Sequence, residues 1–75
     1  MTEQEFGQIL KANYNSASAG MVATTIHLFG IRYANSLSEL SIRDICKIAG
    51  IPVSYVTEIN KGIRLANHVS LKEGG

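Results

Sequence analysis

Apolar residues recur at helical spacing along most of the chain. Phe6, Ile9, Leu10 and Tyr14 fall at i, i+3, i+4 and i+8, one face of a helix. Thr2 and Glu5 precede that face as a T-x-x-E capping box, so a first helix is expected from there to about Tyr14. Residues 13–18 are small and polar and predict a connection. A second helix is expected from near Ser18 to Asn35 or Ser36. Val22, Ile26, Phe29 and Tyr33 form its main stripe, and Leu28 and Ile31 lie off it. A helix apolar on more than one side is either the centre of a core or covered by another subunit. A third line, Ala23, His27, Gly30 and Ala34, is mostly small and would admit a second helix closely. Gly30 costs about 1 kcal/mol against alanine in mid-helix, which close packing would offset.

Residues 36–39 read as a short polar turn. Ser41 then caps a third helix, with Asp44 placed against its N-terminus. Ile42, Ile45, Cys46 and Ala49 face inward and Gly50 stops the helix. A fourth helix is expected from about Val53 to Lys61, with Val56, Ile59 and Tyr55 turned inward and Gly62 as its stop. The tail, 63–75, carries Leu65, Val69 and Leu71 and is open to a short helix or an edge strand. Its last three residues, Glu73, Gly74 and Gly75, read as a frayed end. The expected fold is all-α: a single domain over 1–75, a small four- to five-helix bundle containing a helix-turn-helix, with room for a short C-terminal strand.

The informative stretch is 42–62, IRDICKIAGIPVSYVTEINKG. Two short helices joined by a turn that opens with glycine are the ingredients of a helix-turn-helix. Ile45 and Ala49 must meet Val56 and Ile59 across a close crossing. Cys46 and Ala49 are small where the helices approach. Gly50 supplies the left-handed conformation that redirects the chain, and Ile51 fills the corner.

Within this stretch AGIPVSYVTEINKG resembles the turn and recognition helix of Cro/repressor-type helix-turn-helix proteins, whose pattern is roughly A-G-[VI]-x-x-[ST]-[YT]-[IV]-x-x-[IW]-E-x-G. The match covers about 21 of the 75 residues. Asn60 stands where the family commonly has glutamate, and Val53 where a polar or basic residue is usual. More narrowly, residues 27–34 followed by this motif are similar to the small helix-turn-helix-like domains that accompany bacterial restriction and mobile-element genes.

The resemblance implies that the second helix of the motif enters the major groove of double-stranded DNA. Val53, Ser54, Thr57 and Glu58 then become the candidate base readers, with Glu58 able to accept from a cytosine amino group. Arg43, Lys47, Tyr55, Lys61 and Arg64 become the candidate phosphate contacts, which position the protein rather than specify the site. Each has a plainer reading. Glu58 can be a solubilising charge, Tyr55 a half-buried packing residue, and Arg43 and Lys47 solvated surface.

Composition then narrows the classes. A chain of 75 residues has a thin stability margin, and one cysteine, Cys46, excludes an internal disulfide. Tight helix packing or a partner subunit is expected to make up the difference. The net charge of +1 argues against a purely electrostatic nucleic-acid binder. Four of the seven basic residues nevertheless fall within 43–64, against Asp44 and Glu58, for a local balance of +2. His27 and His68 lie far apart with no evident carboxylate partner, and with Cys46 they make a poor zinc set. No phosphate-binding glycine loop, acid–base pair or triad emerges, so no enzyme, metal, cofactor or small-molecule ligand is expected. Residues 20–37 nearly reach membrane-spanning length, but Arg32 lies among them, and a buried helix of a soluble protein is the expectation. Glu3 and Glu5 ahead of any apolar run are the opposite of a secretory leader, and an unpaired thiol suits the cytoplasm.

These readings converge on a homodimeric, repressor-like transcription regulator of a bacterium or phage, dimerising through the second helix or the tail. The alternative class is a protein-interaction adaptor that keeps the fold without binding DNA.

Overall fold

A computed structural model describes residues 1–66 of the chain. The first helix, α1 (Glu3–Ser16), opens on the expected capping box. The Thr2 side chain accepts from the Glu5 N–H at 3.1 Å, and the Glu5 carboxylate accepts from the Thr2 N–H at 2.8 Å. That backbone bond from Thr2 holds the Glu5 carboxyl below its ordinary value. The box therefore stabilises the fold above the usual carboxylate range and loses this contribution as pH falls. Glu3 reaches further: its Oε2 accepts from the Ser41 N–H at 2.7 Å, across 38 positions of sequence. Phe6 and Leu10 are fully buried, and the helix runs two residues beyond the expected Tyr14.

The second apolar stretch is not one helix. It starts at Val22 rather than Ser18, because the Met21 N–H closes a turn on the Ser18 carbonyl at 2.9 Å and Gly20 takes a left-handed φ of 85°. The resulting α2 (Val22–Arg32) ends at Tyr33, and α3 (Ala34–Leu37) follows at once. Tyr33 leaves helical geometry at φ −108°, ψ 19° while its ring lies 5.3 Å from both Phe6 and Phe29. Redirecting the chain there delivers Leu37, fully buried, into the core. Leu37, expected in a polar turn, thus belongs to the core, while Ser36 beside it is exposed.

Next come α4 (Ile42–Ala49), a 3-10 turn at Val53–Tyr55, and α5 (Val56–Leu65). Among the described residues the elements are five α-helices and this turn, with no strand. The expectations for Val69, Leu71 and the frayed end fall outside the described residues. No described helix is long and apolar enough to cross a membrane.

Two helix pairs organise the bundle: α2 on α5, and α1 on α4. Glycines make both approaches close. A Cβ added at Gly7 would overlap Ile48 of α4. On the other side Gly30 of α2 and Gly62 of α5 face each other. A Cβ on Gly30 would strike the Ile59 carbonyl oxygen, and one on Gly62 the His27 carbonyl oxygen. This overturns the expected role of Gly62: it does not stop the helix but sits buried within it, and α5 runs on to Leu65. The expected small-residue line of α2 does admit a helix, and that helix is α5. Phe6 on α1 and Phe29 on α2 meet edge-to-face at 6.4 Å and join the two pairs.

In an ordinary exposed helix, Gly→Ala stabilises by about 1 kcal/mol. Gly30→Ala and Gly62→Ala should invert that sign. Backbone overlap of this kind costs about 1–3 kcal/mol, so thermal melts should fall by about 5–15 °C for each variant.

Candidate nucleic-acid interface

The helix-turn-helix is built by local chemistry that the sequence carries openly. The Ser41 side chain accepts from the Asp44 N–H at 3.3 Å and starts α4. Gly50 ends it at φ 77°, ψ 23°, and its N–H donates to the Cys46 and Lys47 carbonyls. The Ile51 N–H returns to the Cys46 carbonyl at 3.1 Å while its side chain is buried at the corner. The Pro52 carbonyl then accepts from the Tyr55 N–H at 3.1 Å, closing the 3-10 turn that leads into α5. Ile45, Cys46, Ala49 and Ile59 are all buried in one core. Burial pushes the Cys46 thiol above its ordinary value.

The sequence-nominated residues fall into four groups. Ser54, Thr57, Lys61 and Arg64 are all exposed and, at i, i+3, i+7 and i+10, share one face of the recognition segment. Val53, 48% exposed, stands at its start. Arg43 and Lys47 are exposed one turn apart on α4. Tyr55 is half-buried, its ring edge-on to Tyr14 of α1 at 5.9 Å, so its aromatic body packs the recognition segment against α1.

Glu58 belongs to a different arrangement. Its Oε1 lies 3.3 Å from His27 Nδ1 on α2, and its Oε2 lies 3.8 Å from Lys61 Nζ. A carboxylate on the recognition helix is thus engaged within the protein on both oxygens. The partner that sequence reading failed to find for His27 comes from 31 positions away. A signal did exist. His27 and Glu58 each lie one turn before one of the two crossing glycines, so pairing Gly30 with Gly62 would have brought them together.

His27 also separates two shallow grooves along the α2–α5 seam. One, of about 350 Å³, is lined by His27, Lys61, Arg64 and Leu65. The other, of about 280 Å³, is lined by Ala23, Thr24, His27, Leu28 and Glu58. Among the described residues no group of three His, Cys, Asp or Glu side chains could hold a metal ion.

Set beside known proteins, residues 2–72 match the family described as the HTH-like domain. No curated protein and no solved structure matches the chain.

Cys46 gives a direct test of the corner. Buried and held protonated, it should react with a thiol reagent at least about a hundredfold more slowly in the native protein than in denaturant. A folded thiol titrating above the usual 9.0 stabilises fully below pH 9.0. That contribution is lost as pH rises towards the folded value. Alkaline melts should show the loss, and Cys46→Ala should remove the part that belongs to the thiol.

Proposed function

The chain belongs to the HTH-like domain family, and from that premise we propose that it binds double-stranded DNA as a homodimeric transcription regulator of the Cro/repressor type. The observation that carries this reading is the exposed face of the recognition segment, where Ser54, Thr57, Lys61 and Arg64 are aligned behind Val53. Ser54 and Thr57 can exchange hydrogen bonds with base edges, and Val53 suits a thymine methyl. Lys61 and Arg64, further along the same face, with Arg43 and Lys47 on α4, supply the phosphate contacts. The Tyr55 hydroxyl is a fifth candidate, carried on a ring already packed against Tyr14. Glu58 reads a base only at the expense of its links to His27 and Lys61, so its role on this face is chiefly to hold those two groups.

One copy offers a small positive patch, and a dimer doubles it. Met21 and Leu28, 49% and 44% exposed on the outer side of α2, support pairing through that helix. Two-fold symmetry would then set two recognition helices about 34 Å apart, on successive turns of one face of DNA. The setting proposed is the cytoplasm of a bacterium, or a phage or mobile element within it. The exposed apolar side chains of α2, together with a carboxylate on the recognition helix, also support a second reading, a protein-interaction adaptor.

Polarisation titration against random-sequence duplex separates the two. Four phosphate-contacting cations per copy, eight per dimer, predict a loss of affinity on the order of ten-thousandfold between about 50 and 200 mM salt, against roughly a hundredfold for a single copy. Lys61→Glu combined with Arg64→Glu should abolish binding while the melt stays within a few degrees of wild type. No binding at the lower salt would overturn the DNA reading and favour the adaptor. Sedimentation at micromolar concentration should give the mass of two chains, and a stable folded monomer would remove the dimer.

A further inference from the structure

We infer that the groove between α2 and α5, lined by His27, Lys61, Arg64 and Leu65, is a phosphate site whose affinity is coupled to one proton on His27. The inference rests on the DNA-binding reading for its natural ligand, a backbone phosphodiester, but its chemistry is local. His27 lies outside the helix-turn-helix and nothing in that motif calls for it. The fold nevertheless places it in one groove with two cations of the recognition helix.

The Glu58 link decides which proton the ring carries. An ionised carboxylate only accepts hydrogen bonds, so the Nδ1 that faces Glu58 Oε1 at 3.3 Å must be the N–H in the neutral ring. Nε2 is then a bare lone pair. It makes no hydrogen bond among the described residues. In that state it offers a phosphate oxygen nothing, since both are acceptors. Protonation from solvent turns Nε2 into a donor and adds a third positive charge beside Lys61 and Arg64. Glu58, still accepting from Nδ1, stabilises the imidazolium.

The charged groups around the ring are of both signs. From α5 they are Glu58, Lys61 and Arg64. The α1 and α3 helices contribute no titratable group to either groove beside His27 among the described residues. With the groove empty, two cations and one carboxylate face the ring. A phosphate entering the groove adds negative charge on the Nε2 side and favours the protonated ring over its phosphate-free state. Binding and protonation therefore strengthen each other, and affinity rises as pH falls through the range in which imidazoles change charge, about pH 8 to 5.

The test uses the full chain and a short random-sequence duplex at fixed ionic strength, at about pH 6 and about pH 8. Wild type should bind about tenfold more tightly at the lower pH, within the limit of one proton per site. His27→Gln, which keeps a neutral donor for Glu58, should be flat to within about twofold. It should match wild type at the higher pH, and at the lower one its salt dependence should be shallower by about one phosphate contact. His68→Gln should retain the wild-type pH response. A second measurement needs no variant: the NMR titration midpoint of the His27 ring should move upward when duplex is added.

Duplex binding that is flat in wild type, or equally pH-dependent in His27→Gln, or an immobile midpoint, would overturn the inference and leave the DNA reading standing. Should no duplex bind at either pH, the DNA reading fails and inorganic phosphate becomes the probe. A saturable shift of the His27 resonances that disappears in Lys61→Gln/Arg64→Gln would then support the groove as a site for the free anion. No such shift would overturn the groove as well.

Discussion

Two helix backbones touching at Gly30 and Gly62 set the geometry on which the rest of the molecule depends. Neither position has room for a Cβ, since the neighbour in each case is main chain and cannot turn aside. The contact fixes how α5 lies on α2, and therefore which of its residues face out. Ser54, Thr57, Lys61 and Arg64 are exposed because Ile59 and Gly62 are held inward. The same contact brings His27 and Glu58 within reach of each other, so the polar seam beside the recognition helix follows from the packing.

The other half of the bundle is fastened differently. Glu3 at the start of α1 accepts from Ser41, the residue that caps α4, so one carboxylate registers the beginnings of two helices. Gly7 lets Ile48 approach α1 closely. Phe6, Phe29 and Tyr33 then lock the pairs together through edge-on and tilted ring contacts, each at a spacing where aromatic pairs attract. A chain without a disulfide thus relies on close backbone approach and a shared aromatic centre to make up for a small core.

Much of this was legible because it is local. The box of Thr2 and Glu5, the Ser41 cap and the left-handed Gly50 each declare themselves within a few residues, and the inward faces of α1 and α4 follow from spacing alone. What sequence reading missed is tertiary. Tyr33 breaks the long apolar run because its ring belongs to a cluster formed with α1, which no local propensity announces. Gly62 follows a lysine at the end of a helical pattern, where glycine usually marks a stop. Only the presence of α2 makes it an interior residue. Ser18 resembles a cap, but Gly20 beside it turns the chain first. Ser54, Thr57, Lys61 and Arg64 were legible as outward positions of one helical face, whereas Glu58 looked like one more outward charge until its partner on α2 was known.

The recognition face differs from its surroundings in how little holds it. Val53, Ser54 and Thr57 are exposed, and none of their side chains has a hydrogen bond, ion pair or ring contact among the described residues. Their identities are free of the fold, whereas Gly30, Gly62 and Ile59 are bound to it. Descendants of such a protein can exchange these three side chains one at a time, each step leaving a folded molecule. The chemistry of this exposed face can therefore change without touching the packing, while Gly30 and Gly62 cannot change without disturbing it.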